Sequence, residues 1–131
     1  MKVFDNILVQ ASLVPATRTA SANGTGVDTR GYHDGMVVIS AGDIDLTTGD
    51  ETYTFTVEES DDNSTFVAIS GLSNTITADN QVKEIRLSDL NGGTRKRYLR
   101  VVLTAAGTTP SIPGAAFIVL GEGESNAVGN A

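Results

Sequence analysis

Thr52-Tyr53-Thr54-Phe55-Thr56-Val57-Glu58 alternates without a break. Tyr53, Phe55 and Val57 fall on one side of an extended chain, and Thr52, Thr54, Thr56 and Glu58 on the other. Side chains alternate across a strand, so this stretch predicts a sheet with one buried face and one wet face. The next six residues, Glu59-Ser60-Asp61-Asp62-Asn63-Ser64, are all polar. Their short side chains hydrogen-bond to the adjacent backbone and favour a turn. Thr65-Phe66-Val67-Ala68-Ile69-Ser70 follows as a second strand, so the pair predicts a hairpin.

Working outward, four further strands are expected. Gly35-Met36-Val37-Val38-Ile39-Ser40 is short and apolar. Residues 81–87 set Val82, Glu84 and Arg86 opposite Lys83, Ile85 and Leu87. Residues 98–104 place Leu99, Val101 and Leu103 on one face. Residues 115–120 are uniformly apolar, the pattern of a central strand covered on both sides. Gly42, Gly49, Gly71, Gly92-Gly93 and Gly107 punctuate the runs. Val, Ile and Thr supply 37 of the 131 residues, and their stiff branched side chains suit a pleated surface. No stretch has helical amphipathicity. The expected fold is all-β, an antiparallel β-sandwich of jelly-roll-like form.

The ends differ from the centre. Residues 11–30 carry Ala, Thr, Ser, Asn and Gly with little apolar periodicity. They read as a surface loop or disordered stretch, or as an arm that orders on a partner. Residues 121–131 read as a flexible tail. The expected organisation is an extended N-terminal arm and first strand over 1–30, the sandwich over 31–120, and the tail over 121–131.

Composition removes several classes of function. There is no cysteine, which excludes disulfides, thiolate zinc sites, iron–sulfur clusters and cysteine nucleophiles. His33 is the lone histidine, and its sequence neighbour Asp34 cannot orient it as a triad acid does. No Gly-x-Ser-x-Gly elbow occurs. Gly24-Thr25-Gly26 does not sit between a strand and a helix, as a dinucleotide site requires. Asp61-Asp62-Asn63 lacks the spacing of a calcium loop and reads as a hairpin turn. Asp43 and Asp45 share a face if extended, a carboxylate pair whose ordinary setting is a strand edge or loop. The expectation is a protein that is not an enzyme and carries no cofactor.

The formal net charge is −7, which argues against nucleic acid as a partner. No apolar run approaches the roughly 20 residues of a membrane span. Lys2 and Ile7-Leu8-Val9 faintly resemble a signal peptide, but Asp5, Asn6, Gln10 and Ser12 interrupt it. Synthesis and folding in a cytoplasm is the expectation. Charge is segregated: residues 31–80 hold ten acids and no Lys or Arg, and residues 81–100 hold six bases against two acids. The two segments either neutralise each other within one molecule or form opposite faces for head-to-tail assembly. Arg95-Lys96-Arg97 with Arg100 is the basic cluster, a solvated hairpin end or a docking patch for an acidic protein surface.

Ala16-Thr17-Arg18-Thr19-Ala20, Asn23-Gly24-Thr25-Gly26-Val27-Asp28 and Gly31-Tyr32 leading into Met36-Val37-Val38-Ile39 resemble small structural proteins of tailed bacteriophages. The resemblance runs on through residues 53–66, Lys96-Arg97-Tyr98-Leu99-Arg100-Val101 and Gly114-Ala115-Ala116, and covers most of 16–120. Some members resemble head decoration (cement) proteins, which trimerise on the outer shell, and no catalytic residues come with the family. The resemblance implies a virion protein made in the host bacterial cytoplasm and placed on the outer capsid surface. Its partners would be the major capsid protein and itself, as a trimer. The residues expected at the interface are Leu8, Leu13, Val14, Arg18 and Arg30 of the arm, with Arg95, Lys96 and Arg97. Removal of residues 1–20 is then expected to abolish particle binding and leave the thermal transition in place. A tail-tube or head–tail joining protein is the alternative within the virion. Residues 57–66 and 96–101 are also similar to discoidin-like carbohydrate-binding jelly rolls, which implies a glycan partner in that alternative alone.

Overall fold

A computed structural model describes residues 7–88, 90 and 94–123. Among them run β1 (Leu8–Arg18), β2 (Ala22–Asn23), β3 (Val27–Asp28), β4 (Tyr32–Ala41), β5 (Thr52–Ser60), β6 (Val67–Ile76), β7 (Val82–Leu87), β8 (Tyr98–Ala106) and β9 (Ile112–Gly123). One sheet has the order β1-β9-β4-β7. The other has the order β2-β8-β5-β6, with β3 also pairing β8. Every pairing is antiparallel. Taking β2 and β3 as one interrupted strand leaves eight strands that fill the two sheets in the order of a jelly roll. The protein is therefore an all-β antiparallel sandwich.

Alternation decides which side chains meet between the sheets. Val37, Ile39, Ala116, Ile118 and Leu120 project from β4 and β9. Tyr53, Phe55, Val57, Leu99, Val101 and Leu103 meet them from β5 and β8. The Tyr53 hydroxyl stays inside because it donates to Asp45 O at 2.6 Å and accepts from Ser111 N at 2.9 Å. Those bonds fix the loops at one end of the sandwich, and Glu51 fixes its own loop by accepting from Thr48 N and Gly49 N.

The strands differ from the sequence expectation mainly at the start. Residues 11–30 are not a loop or a disordered stretch. They hold most of β1 and all of β2 and β3. Their periodicity is hidden because β1 shifts register between Ala11 and Leu13 and again between Leu13 and Ala16. A bulge puts two residues against one partner, so consecutive side chains turn inward. Here Ser12 and Leu13 are both buried. Leu13 enters the core, whereas Ser12 reaches the opposite sheet. Its hydroxyl accepts from Val101 N at 2.9 Å and donates to Thr25 O at 2.9 Å. Thr25 N donates to Ser12 O at 2.7 Å, and Gly24 N to Val101 O at 2.8 Å. The gap between β2 and β3 is thus filled by a side chain from the other sheet. A cut at residue 20 would remove all of β1, so that truncation is expected to disturb the thermal transition rather than leave it in place. At the other end β9 extends to Gly123, and the rest of the 121–131 tail lies outside the described residues.

Candidate interaction surface

The residues expected at an interface divide into three groups. Leu8 packs against the core, and Leu13 is 2% exposed within it, so Leu13 stabilises the sandwich and presents nothing to a partner. Arg18 donates to Val14 O at 2.8 Å and Gly114 O at 3.2 Å, which ties the β1 bulge to β9. Val14, 58% exposed, and Arg30 project outward.

The basic cluster is the third group, and each of its cations has a carboxylate partner. Arg97 holds Asp28 in a two-pronged pair at 2.9 and 2.7 Å. Arg100 meets Glu58 at 2.7 Å while its guanidinium lies 4.2 Å from the centre of the Phe66 ring. Arg95 lies 3.8 Å from Glu59, and Lys96 lies 3.7 Å from Asp61. The hydrogen bond from Arg97 holds the Asp28 carboxyl below its ordinary range, and the same bond raises the guanidinium. Of the two arrangements open to the segregated charges, these pairs are the intramolecular one. The Glu58, Glu59 and Asp61 pairs form because β5 and β8 are neighbours, with Glu58 opposite Arg100 in register, whereas Asp28 reaches Arg97 from β3 on the other side of β8.

The turn beyond Ser60 is built on Asp62. Its carboxylate accepts from Ser64 N and Thr65 N, both at 2.9 Å, and from the Ser60 hydroxyl at 2.8 Å. These bonds lower its pKa from 3.8 to about 2, the Thr65 amide contributing most. A carboxylate depressed on folding stabilises the fold above its unfolded pKa, and that contribution is lost as pH falls through the folded value. Asp62→Ala should therefore lower the thermal midpoint at neutral pH, and the gap from wild type should narrow between about pH 4 and pH 2. Melts followed by circular dichroism across that range check this; a gap constant with pH would refute it.

Asp43 and Asp45, the carboxylate pair of the sequence, lie in the loop after β4. Asp45 accepts from Thr47 N and Oγ1, which lowers its pKa, and Asp43 receives a long bond from Asn80 Nδ2. Among the described residues no three His, Cys, Asp or Glu side chains are grouped to hold a metal ion.

The largest feature that was not singled out from the sequence is the outer face of the β1-β9-β4-β7 sheet. Register places Val9, Val119, Met36 and Arg86 in one outward row. Ala11, Phe117, Val38 and Glu84 form the next row, and Ser40 and Val82 a third with Ala115, which is buried. Val9 is 56% exposed and Val82 69%. The outer face of the other sheet is more polar, with Thr54, Thr56, Glu58, Ser73, Thr75, Arg100 and Thr104 around Val102, Ala68 and Ala106. The outer face of the β1-β9-β4-β7 sheet is the more apolar of the two. The mark of this was in residues 36–39 and 115–120, which are apolar on both faces. The inner face is fully covered; on the outer face Ala115 is buried and Met36, Val38, Phe117 and Val119 are half-buried. Two open depressions flank the rows. One of about 510 Å³ is lined by Ile7, Met36 and Val119, and one of about 560 Å³ by Pro15, Ser40, Asn80 and Phe117.

No family model matches the chain, and no curated protein matches it.

Proposed function

We propose that the protein is a bacteriophage capsid decoration protein that binds the outer surface of the head and stabilises contacts between major capsid subunits. Its work is mechanical, and no catalytic group enters it. The observation that carries this reading is the contrast between the two outer sheet faces. A rigid sandwich with one apolar face is built for protein–protein association. The ordered resemblance over residues 16–120 supplies the kind of assembly. Several weak contacts made at once keep such a protein bound, because loss of one leaves the others to hold it in place. Val14 and Arg30 are the exposed members of the expected contact set and are available to the shell.

The carbohydrate alternative ranks below this. Sugar sites present open aromatic platforms, whereas Tyr53 and Phe55 are buried, Phe66 and Tyr98 lie beneath guanidinium groups, Tyr32 packs against the core, and Phe117 stands half-buried on the outer face among aliphatic side chains. Quantitative mass spectrometry of purified particles tests the proposal. A ratio to the major shell protein near one is the expected result. A ratio of a few per cent would move the protein to a vertex or the tail, and absence from particles would overturn the reading.

A further inference from the structure

We propose that the apolar face of the β1-β9-β4-β7 sheet is covered by a second copy of this chain, packed face to face about a two-fold axis. The proposal uses the same face that carries the capsid reading, and a pair that buries it leaves Val14 and Arg30 to meet a shell. It begins with the charges at the rim of the face. Glu84 and Arg86 stand on β7 in adjacent outward rows, 3.8 Å apart and well exposed. An exposed pair of this kind contributes little within one chain and can exchange partners at little cost.

Two in-plane axes bring the face onto itself with the strands of the two copies aligned. An axis parallel to the strands lays β7 over β1. It would press Glu84 and Arg86 onto Val9 and Ala11 and strip water from charges that gain no partner. An axis across the strands, through the row of Gln10, Ile118, Val37 and Ile85, lays each strand over itself with its direction reversed. The row of Met36 and Val119 then lies over the row of Val38 and Phe117 of the second copy, and in the next rows out Asp34 of each copy comes over Ser40 of the other, whose hydroxyl can donate to the carboxylate. Glu84 of each copy meets Arg86 of the other, so both ion pairs form at once and the apolar rows close between them. A patch that is apolar at its centre and carries one acid and one base in exchangeable positions is complementary to itself.

The four strands and the two matched apolar rows give a flat footprint of roughly 250 Å² per copy. A stable complex buries roughly 800 Å² per partner, so this pairing is weak and depends on concentration. Crowding of copies on a common surface would favour it.

Sedimentation velocity of the purified full chain, from micromolar to millimolar concentration, tests the proposal. A monomer–dimer equilibrium is expected. Val38→Lys should weaken it by about tenfold or more, since two like charges would face the centre of the pair, with the thermal midpoint of the dilute protein unchanged. Glu84→Arg should also weaken it, and Glu84→Arg combined with Arg86→Glu should restore it. A monomer throughout the range would overturn the proposal. So would association, dimeric or trimeric, that neither Val38→Lys nor Glu84→Arg reduces, or a double charge exchange that fails to rescue.

Discussion

A chain lacking residues 2–20 should lose its cooperative thermal transition or melt far below wild type. The cut removes β1 and with it three supports of different kinds. The first is apolar: Leu13 is buried in the core and Leu8 packs against it. Removing one buried leucine side chain costs about 2–5 kcal/mol. The second is the Ser12 bridge, without which Val101 N and Thr25 O lose their partner. A buried polar group left unpaired costs about 1–3 kcal/mol. The third is the edge of β9, which would lose its ladder from Leu120 to Ile112 and expose a long apolar strand to aggregation. The sum reaches the scale of a whole domain's stability, about 5–15 kcal/mol. Circular dichroism melts and size-exclusion profiles of the truncated chain check this, and a melting midpoint equal to wild type would show β1 to be dispensable. Particle binding should accordingly be tested with Val14→Asp or Arg30→Glu, which change exposed side chains and leave β1 whole.

Gly24→Ala should destabilise the protein by about 3 kcal/mol or more, although it adds one methyl group. Gly24 lies where Ser12 crosses between the sheets. An added Cβ would meet Ser12 Oγ and come within 2.5 Å of Val101 O and 2.8 Å of Ser12 O. Two of these three atoms are backbone, and the third is held by hydrogen bonds to Val101 and Thr25. Nothing at the site can yield without breaking a bond that joins β1 to β8. Ser12→Ala removes only the hydroxyl and should cost less, about 2 kcal/mol. In the double variant the missing hydroxyl makes room for part of the new methyl, so the combined loss should fall short of the sum. Urea unfolding of the three variants measures this cycle. A Gly24→Ala protein as stable as wild type would mean that the bridge is not rigid.

How legible the molecule was follows from how each element is covered. β5 and β8 alternate cleanly because one face meets the core and the other meets water. Tyr53, Phe55, Val57, Leu99, Val101 and Leu103 were readable as core for that reason. The Ser60–Thr65 turn was readable because its polar side chains bond to their own neighbours, and Asp62 does so. β1 was not readable. Its two register shifts break the alternation, and Ser12, a polar residue, is buried for a bond to a residue 89 positions away. The candidate face was half legible. Residues 115–120 revealed a central strand apolar on both sides, but not that Phe117 and Val119 on its outer side would be only half-buried.

By itself, then, the sequence determined the β class, the core of the central strands, the hairpin and the absence of thiol chemistry. These are properties of local pattern and residue type. Tertiary structure alone decided that β1 belongs to the sandwich, that the basic cluster is neutralised by Asp28, Glu58, Glu59 and Asp61, and that the apolar rows of β1, β9 and β4 align. Each of these depends on which distant strands become neighbours and in what register. A period-two pattern says which residues share a face, but only pairing says what that face meets.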